Sequence, residues 1–209
     1  MIALLGITAC TFNNYDTGDG YLSYLKAEMA NMHTMAKGKI DYIVTDEGKQ
    51  LTLSSPFTCQ WADKPDTLYR AMLYYSQTKG HITAMKANYV WVISPQKPKN
   101  IFRTDPVQLT SCWLSSNRKY LNLYVGIMSG TSQIKELKQQ IGLVYQGCTL
   151  QKNGKTTHRL CLLHNQNNIP QYYTYNMYIS IPTSSYQRGD TVQMNINTYK
   201  GVAVKKIAL

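Results

Sequence analysis

Apolar and polar positions alternate with a period of two along most of the chain, the pattern of strands that bury one face. Lys39-Ile40-Asp41-Tyr42-Ile43-Val44-Thr45 is β-branched and aromatic, Asp46-Glu47-Gly48-Lys49 supplies a turn, and Gln50-Leu51-Thr52-Leu53 alternates again, so the three predict a hairpin. A Pro- and Asp-containing loop, Asp63 to Asp66, leads into a strand over Leu68 to Tyr75. Lys79-Gly80 then separates that strand from another over His81 to Ile93. Tyr21 to His33 is ambiguous by pattern alone: Tyr21, Leu25, Met29 and Met32 suit a helical stripe, and local propensity favours a helix there.

The alternation stops at Ser94 to Asn100, SPQKPKN, where two prolines and two lysines punctuate the chain, and a domain boundary is expected there. Beyond it, strands are predicted at Leu109 to Leu114, Tyr120 to Met128, Ile141 to Lys152, Thr157 to His164, Tyr172 to Ile181, Thr191 to Thr198 and Val202 to Leu209. Such a run of short strands separated by turns predicts a β-sandwich. A short helix is expected at Ser132 to Gln140, with Ile134 and Leu137 on one side. The resulting division is a leader and tether at 1–20, a first β domain at 21–95 and a β-sandwich domain at 96–209.

The opening residues, MIALLGITAC, carry a sharper signal. Ile7-Thr8-Ala9-Cys10 fits a lipobox, in which small residues before a cysteine admit signal peptidase and leave the thiol to take a lipid; the residues ahead of it are apolar. No Lys or Arg precedes that apolar stretch, so Met1 is read as a late start. Thr11 to Gly20 is a polar Gly-Asn-Asp stretch that reads as a flexible tether. Lipid attachment at Cys10 would make the chain an outer-membrane lipoprotein, on either the periplasmic or the surface face.

That address bears on the remaining cysteines. Cys59, Cys112, Cys148 and Cys161 are even in number and would sit where disulfides are permitted. Only Cys148 and Cys161 can be examined locally, because they flank the Asn153-Gly154 turn. A four-residue loop places them directly opposite, within bridging reach. A two-residue loop makes them diagonal, roughly 7 to 8 Å apart, too far for a relaxed bridge.

Composition narrows the function classes. Of 209 residues, 44% are apolar and 16% charged, with 17 Tyr against 3 Phe, the mark of a folded chain. The net charge of +11 would attract anionic polymers or head groups. Its lysines are scattered, however, and the chain shows neither the clustered basic face nor the motif of a nucleic-acid reader. No segment beyond the leader approaches the roughly 18 to 20 apolar residues of a spanning helix.

Candidate chemistry is sparse. His158, Cys161 and His164 form H-x-x-C-x-x-H, yet on a strand the two histidines share one face and Cys161 faces the other, so they cannot converge on a metal. No Gly-rich phosphate loop is present, and the eleven carboxylates are spread out, several in turns. No cofactor, metal or catalytic residue is expected. On Tyr172 to Ile179, alternation puts Tyr173, Tyr175, Met177 and Ile179 on a face expected to be core. Tyr172, Thr174, Asn176 and Tyr178 lie on the other, where Tyr172, Asn176 and Tyr178 form a candidate binding surface for sugars or proteins.

The order of these features resembles the NigD-like lipoproteins: a lipobox, a tether, a D-E-G turn, LYRAMLYY, and then YLNLYV, LCLLHNQNN and YTYNMYISI. The likeness runs from about Tyr21 to Tyr199 through diffuse strand patterns. It implies an N-terminal OB-like barrel followed by a C-terminal β-sandwich, a strand instead of a helix at Tyr21 to His33, and an envelope location in Bacteroidetes-type bacteria. It also implies an accessory or immunity-like role. An OB-like barrel invites a ligand on its open face, here near Tyr69, Tyr74, Tyr89 and Trp91. The leading expectation is a non-enzymatic envelope lipoprotein, held to the membrane by its N-terminal lipid and recognising an envelope protein or glycan. A binder of anionic glycan or lipopolysaccharide is the first alternative and a cell-envelope hydrolase the second.

Overall fold

A computed structural model describes residues 25–78, 81–98, 102–131 and 137–209. Cys10, the tether and most of the expected helix at Ser132 to Gln140 lie outside these residues. Residues 137–139 are irregular, and Gln140 already opens a strand.

The first module contains β1 (Leu25–Ala36), β2 (Lys39–Thr45), β3 (Gln50–Leu53), β4 (Phe57–Thr58), β5 (Thr67–Thr78) and β6 (His81–Tyr89). Leu25–Ala36 is a strand, which settles the ambiguous segment against the helix. Its stripe of Met29 and Met32 is equally a pair of buried residues on a long strand paired on both sides, with β5 through ten residues and with β2. Because β1 holds β2 on one edge and β5 on the other, while β6 runs parallel to β3, the strands β1-β5-β6-β3-β2 close on themselves. This is a five-stranded barrel of OB type, with β4 added to β2. Ala30, Met32, Ile43, Ala71, Leu73 and Ile82 fill it. The D-E-G turn closes as expected: Gly48 takes φ +79°, and its amide donates to the Thr45 carbonyl.

The second module contains β7 (Trp91–Val92), β8 (Gln108–Leu114), β9 (Tyr120–Ser129), β10 (Gln140–Leu150), β11 (Thr156–Asn165), β12 (Tyr173–Pro182), β13 (Thr191–Thr198) and β14 (Gly201–Ala208). They form two four-stranded sheets, β10-β11-β13-β14 and β7-β12-β9-β8. Leu121, Leu123, Val125, Leu160, Ile179 and Met194 interdigitate between them. The architecture is therefore all-β, an OB-like barrel followed by a sandwich.

Two details depart from the pattern-based reading. The expected strand His81 to Ile93 breaks at Val90: β6 belongs to the barrel, whereas Trp91 and Val92 pair with Ile179 and Ser180 of the sandwich. The chain thus changes modules before SPQKPKN, and Gln96, inside that segment, bridges Val144 of β10. The β10–β11 hairpin also has neither anticipated loop. Five residues, 151–155, separate the paired Leu150 and Thr156, and a bulge at Tyr145 to Cys148 carries Gly147 at φ +102°. Cys148 consequently faces His158 while Cys161 faces Val144, so the proposed bridge does not form and both thiols are free.

Candidate functional site

The joint between the modules starts from a charge in an unexpected place. Arg70 lies on β5 between Tyr69 and Ala71; the barrel core takes its neighbours, which leaves Arg70 and Met72 on the outer face. That outer face is covered by β9 and β12. Only 1% of the Arg70 side chain reaches solvent. Its Nη1 and Nη2 donate to the two carboxylate oxygens of Asp46, from the D-E-G turn, at 2.5 and 2.7 Å. Nε donates to Ser180 Oγ at 3.2 Å, and the guanidinium lies 4.1 Å from the centre of the Tyr120 ring. Ser180 in turn donates to Asn122 Oδ1 at 2.6 Å. Met29, Met72 and Val90 pack beside this network against Tyr74, Trp113 and Tyr178.

Beside the joint, four aromatic rings follow one another edge to face, from Trp61 and Tyr69, half-buried against the barrel core, to Tyr89 and Trp91 at the surface. Trp61, from the segment between β4 and β5, sits 5.8 Å from Tyr69 and 5.3 Å from Tyr89, and Tyr89 sits 6.2 Å from Trp91. Each pair is tilted by 65° or more, the edge-to-face arrangement aromatic quadrupoles favour. Trp61 is anchored by a hydrogen bond to the Ala87 carbonyl and Tyr69 by one to Asp63, so the rings are preset. Tyr89 and Trp91 remain 46% and 47% exposed. Three rings belong to the barrel end and one to the first strand of the sandwich, so the ridge spans both modules.

The residues singled out from sequence distribute unevenly around this ridge. Tyr69, Tyr89 and Trp91 are part of it, whereas Tyr74 packs into the joint. Trp61 completes it from a loop where no periodicity marks it. The stripe Tyr172, Asn176 and Tyr178 is divided: Tyr172 is 76% exposed and Asn176 is exposed, but Tyr178 stacks on Tyr124 at 4.4 Å and turns into the joint. Tyr173 and Tyr175, expected in the core, are exposed, because burial of their face begins only at Met177.

The two histidines of the H-x-x-C-x-x-H segment are occupied by local partners. His158 bonds Tyr145 Oη at 3.2 Å and Asp190 at 3.0 Å, and His164 bonds the Asp105 carbonyl and Gln139. Asp190 also accepts from the Thr156 and Gln187 amides, and these bonds hold its carboxyl below the usual range. On the barrel, His33 lies between Asp41 at 2.7 Å and Asp66 at 3.1 Å and stacks on Tyr42. Among the described residues, no group of three or more His, Cys, Asp or Glu is arranged to hold a metal.

An OB-type barrel, joined to a two-sheet sandwich by a buried arginine that pairs with Asp46 inside the barrel and reaches Ser180, Asn122 and the Tyr120 ring across the joint, and crossed by an aromatic ridge, defines a two-module all-β protein. The family follows from the second module: the NigD-like C-terminal beta sandwich domain matches residues 90–208, and the chain belongs to the NigD-like family. That match begins at Val90, where the structure leaves the barrel. Among solved structures, the chain is similar to a NigD-like immunity protein from Bacteroides caccae, with TM-score 0.65, 22% identity, and coverage of 87% of this chain and 91% of that one. It is also similar to a toxin-related protein from Parabacteroides distasonis, with TM-score 0.65, 19% identity, and coverage of 88% and 93%. A protein of unknown function from Bacteroides vulgatus has the same TM-score, at 18% identity, with coverage of 88% and 90%. These likenesses describe the fold. No curated protein matches the chain.

Proposed function

We propose that this chain is a non-enzymatic envelope lipoprotein, held to the membrane through Cys10, that recognises a partner protein in an immunity-like or accessory role along its aromatic ridge. The ridge carries the reading. Trp and Tyr dominate binding energy where flat rings are desolvated, and here four rings lie in one continuous patch, Trp61 and Tyr69 anchored by hydrogen bonds and Tyr89 and Trp91 open to solvent. The description of one structural neighbour as an immunity protein and of another as toxin-related supports the same direction.

Crosslinked pulldown from native envelopes tests the proposal, comparing the unaltered chain with Trp91→Ala and with Leu150→Ala, an exposed apolar residue outside the ridge. Trp91→Ala is expected to weaken capture of the recovered protein by about 2 kcal/mol or more, roughly 30-fold, with Leu150→Ala unchanged. Equal capture by all three would remove the ridge from the mechanism. Mass spectrometry of the native protein is expected to find acyl chains on Cys10; an uncut, unmodified N-terminus would end the lipoprotein assignment. The net charge of +11 favours one second reading, an anionic glycan or lipopolysaccharide as the partner. Glycan binding that falls with rising salt would support that reading, and no binding at low salt would eliminate it.

A further inference from the structure

The two sheets of the sandwich end side by side at β8 and β14, and each is the last strand of its sheet. β14 pairs with β13 through eight residues and has no ladder partner on its other edge among the described residues. Unpaired edges of this length are normally blunted, because they present a row of free backbone donors and acceptors. This one is not capped by proline. On its outer face Val202 and Val204 are 67% and 51% exposed, unusual for apolar residues on an open edge.

A groove of about 650 Å³ opens between the β8 and β14 ends, floored by Val107, Leu109, Met128 and Ala203. Lys200 and Lys205 are also in its lining, and no carboxylate is. Neither lysine is in an ion pair among the described residues. Lys205 has an unusual position. Its strand neighbour across the ladder is the buried Met194, so by parity it lies on the inward face, and its charge acts on the Cys112 thiol of β8. An inward lysine on an edge strand opposes pairing with apolar or basic strands. It equally opposes pairing with a second copy of the same edge, which would bring Lys205 and Lys206 of two chains together. A strand that brings carboxylates reverses the penalty.

We propose that β14 is a strand-addition site for an extended acidic peptide of a partner protein, its backbone extending the sheet while its inward side chains bring carboxylates to Lys205 and Lys200 at the groove and its alternate, apolar side chains pack on Val202 and Val204 of the outer face. Main-chain hydrogen bonds would supply affinity and the lysines selectivity, the usual division in β-augmentation. The site is separate from the aromatic ridge and does not depend on it.

Fluorescence anisotropy with a labelled Glu-Val-Glu-Ile-Glu-Val-Glu peptide and the full chain provides the test. Saturable binding is expected, weakened about tenfold by Lys205→Gln and abolished when alternate peptide nitrogens are methylated, which removes strand pairing and leaves the charge intact. A Gln-for-Glu peptide is expected to bind at least tenfold more weakly. Equal binding of the methylated peptide would reduce the site to unspecific charge attraction and overturn the proposal, as would indifference to Lys205→Gln. Hydrogen exchange separates the remaining possibility. Fast exchange at β14 in the free chain, slowed by the peptide, is expected; edge amides already protected would mean that the chain covers its own edge, and strand addition would be wrong. Lys205→Gln leaves ridge-dependent capture unchanged, so failure of either proposal is seen separately.

Discussion

Replacing Arg70 with Met keeps most of the apolar stem and deletes the guanidinium. Lost with it are both bonds to Asp46, at 2.5 and 2.7 Å, the bond to Ser180 and the contact with the Tyr120 ring. What decides the outcome is the partner left behind. The Asp46 side chain is 12% exposed, so its carboxylate would remain almost fully desolvated with no cation beside it. Removing one member of a buried pair costs about 3–5 kcal/mol, and residual water contact at Asp46 points to the lower half of that range. Against a total stability of roughly 5–15 kcal/mol this is a large fraction. Asp46→Leu should cost a similar amount, because it strands the guanidinium. The double variant, with neither charge, should return to within about 1 kcal/mol of the unaltered protein, since burying an ion pair gains little over packing apolar groups.

Urea denaturation followed by tryptophan fluorescence measures all four proteins. The barrel and the sandwich have separate cores, and the joint couples them, so a single transition in the unaltered chain should split into two in Arg70→Met. A double-mutant coupling below about 0.5 kcal/mol, with the two single costs simply adding, would refute the account of Arg70 and Asp46 as a coupled buried pair, and a single unsplit transition in Arg70→Met would refute Arg70 as the lock of the joint.

Two further outcomes follow from side chains outside that network. Burial pushes the Cys59 and Cys112 thiols up to about 11 and raises Cys161, whereas Cys148 is exposed, so alkylation of the folded protein at pH 8 should modify Cys148 first among these four; a Cys148–Cys161 bridge found by peptide mass mapping would contradict the β10–β11 register. The hydrogen bond that His33 donates to Asp41, with help from Asp66, raises the His33 pKa above its ordinary value of 6.5. Because the folded value is the higher one, the stability His33 contributes is complete below pH 6.5 and is lost as pH rises through the raised value. Proton NMR should show His33 titrating above 6.5 and falling back in Asp41→Asn; a titration at or below 6.5 in the unaltered protein would rule the pairing out.

Strand positions were legible because a half-buried strand must alternate, and Lys39–Thr45, Gln50–Leu53 and Thr191–Thr198 fall where the alternation placed them. Register was less legible. The Asn153-Gly154 turn marks the hairpin, but the bulge at Tyr145 to Cys148 inserts a residue that no composition signal betrays, and one insertion moves every pair beyond it. Of the ridge, Tyr69, Tyr89 and Trp91 stood out as aromatics on strands, while Trp61 lies in a loop whose path only the folded barrel determines. Arg70 carried a signal that went unused: a charge inside LYRAMLYY on the face away from the barrel core. Period-two alternation says which face a residue occupies and is silent on what covers that face.

That silence concerns the feature on which the rest depends. Val90 is fully buried in the joint, and the residues on either side of it, Tyr89 and Trp91, are the two most exposed rings of the ridge, one on each module. The Val90 amide donates to the Arg70 carbonyl, so the same residue that holds Asp46 and Ser180 through its side chain holds the crossover strand through its backbone. Sliding or rotating one module against the other would therefore break the Tyr89–Trp91 contact before it disturbed either core. The ridge stays continuous only while the joint keeps this orientation, which gives a physical reason to retain a charged network where apolar packing would be as stable: an ion pair with bidentate geometry and a third partner across the joint selects one orientation of the two modules, and apolar faces admit several.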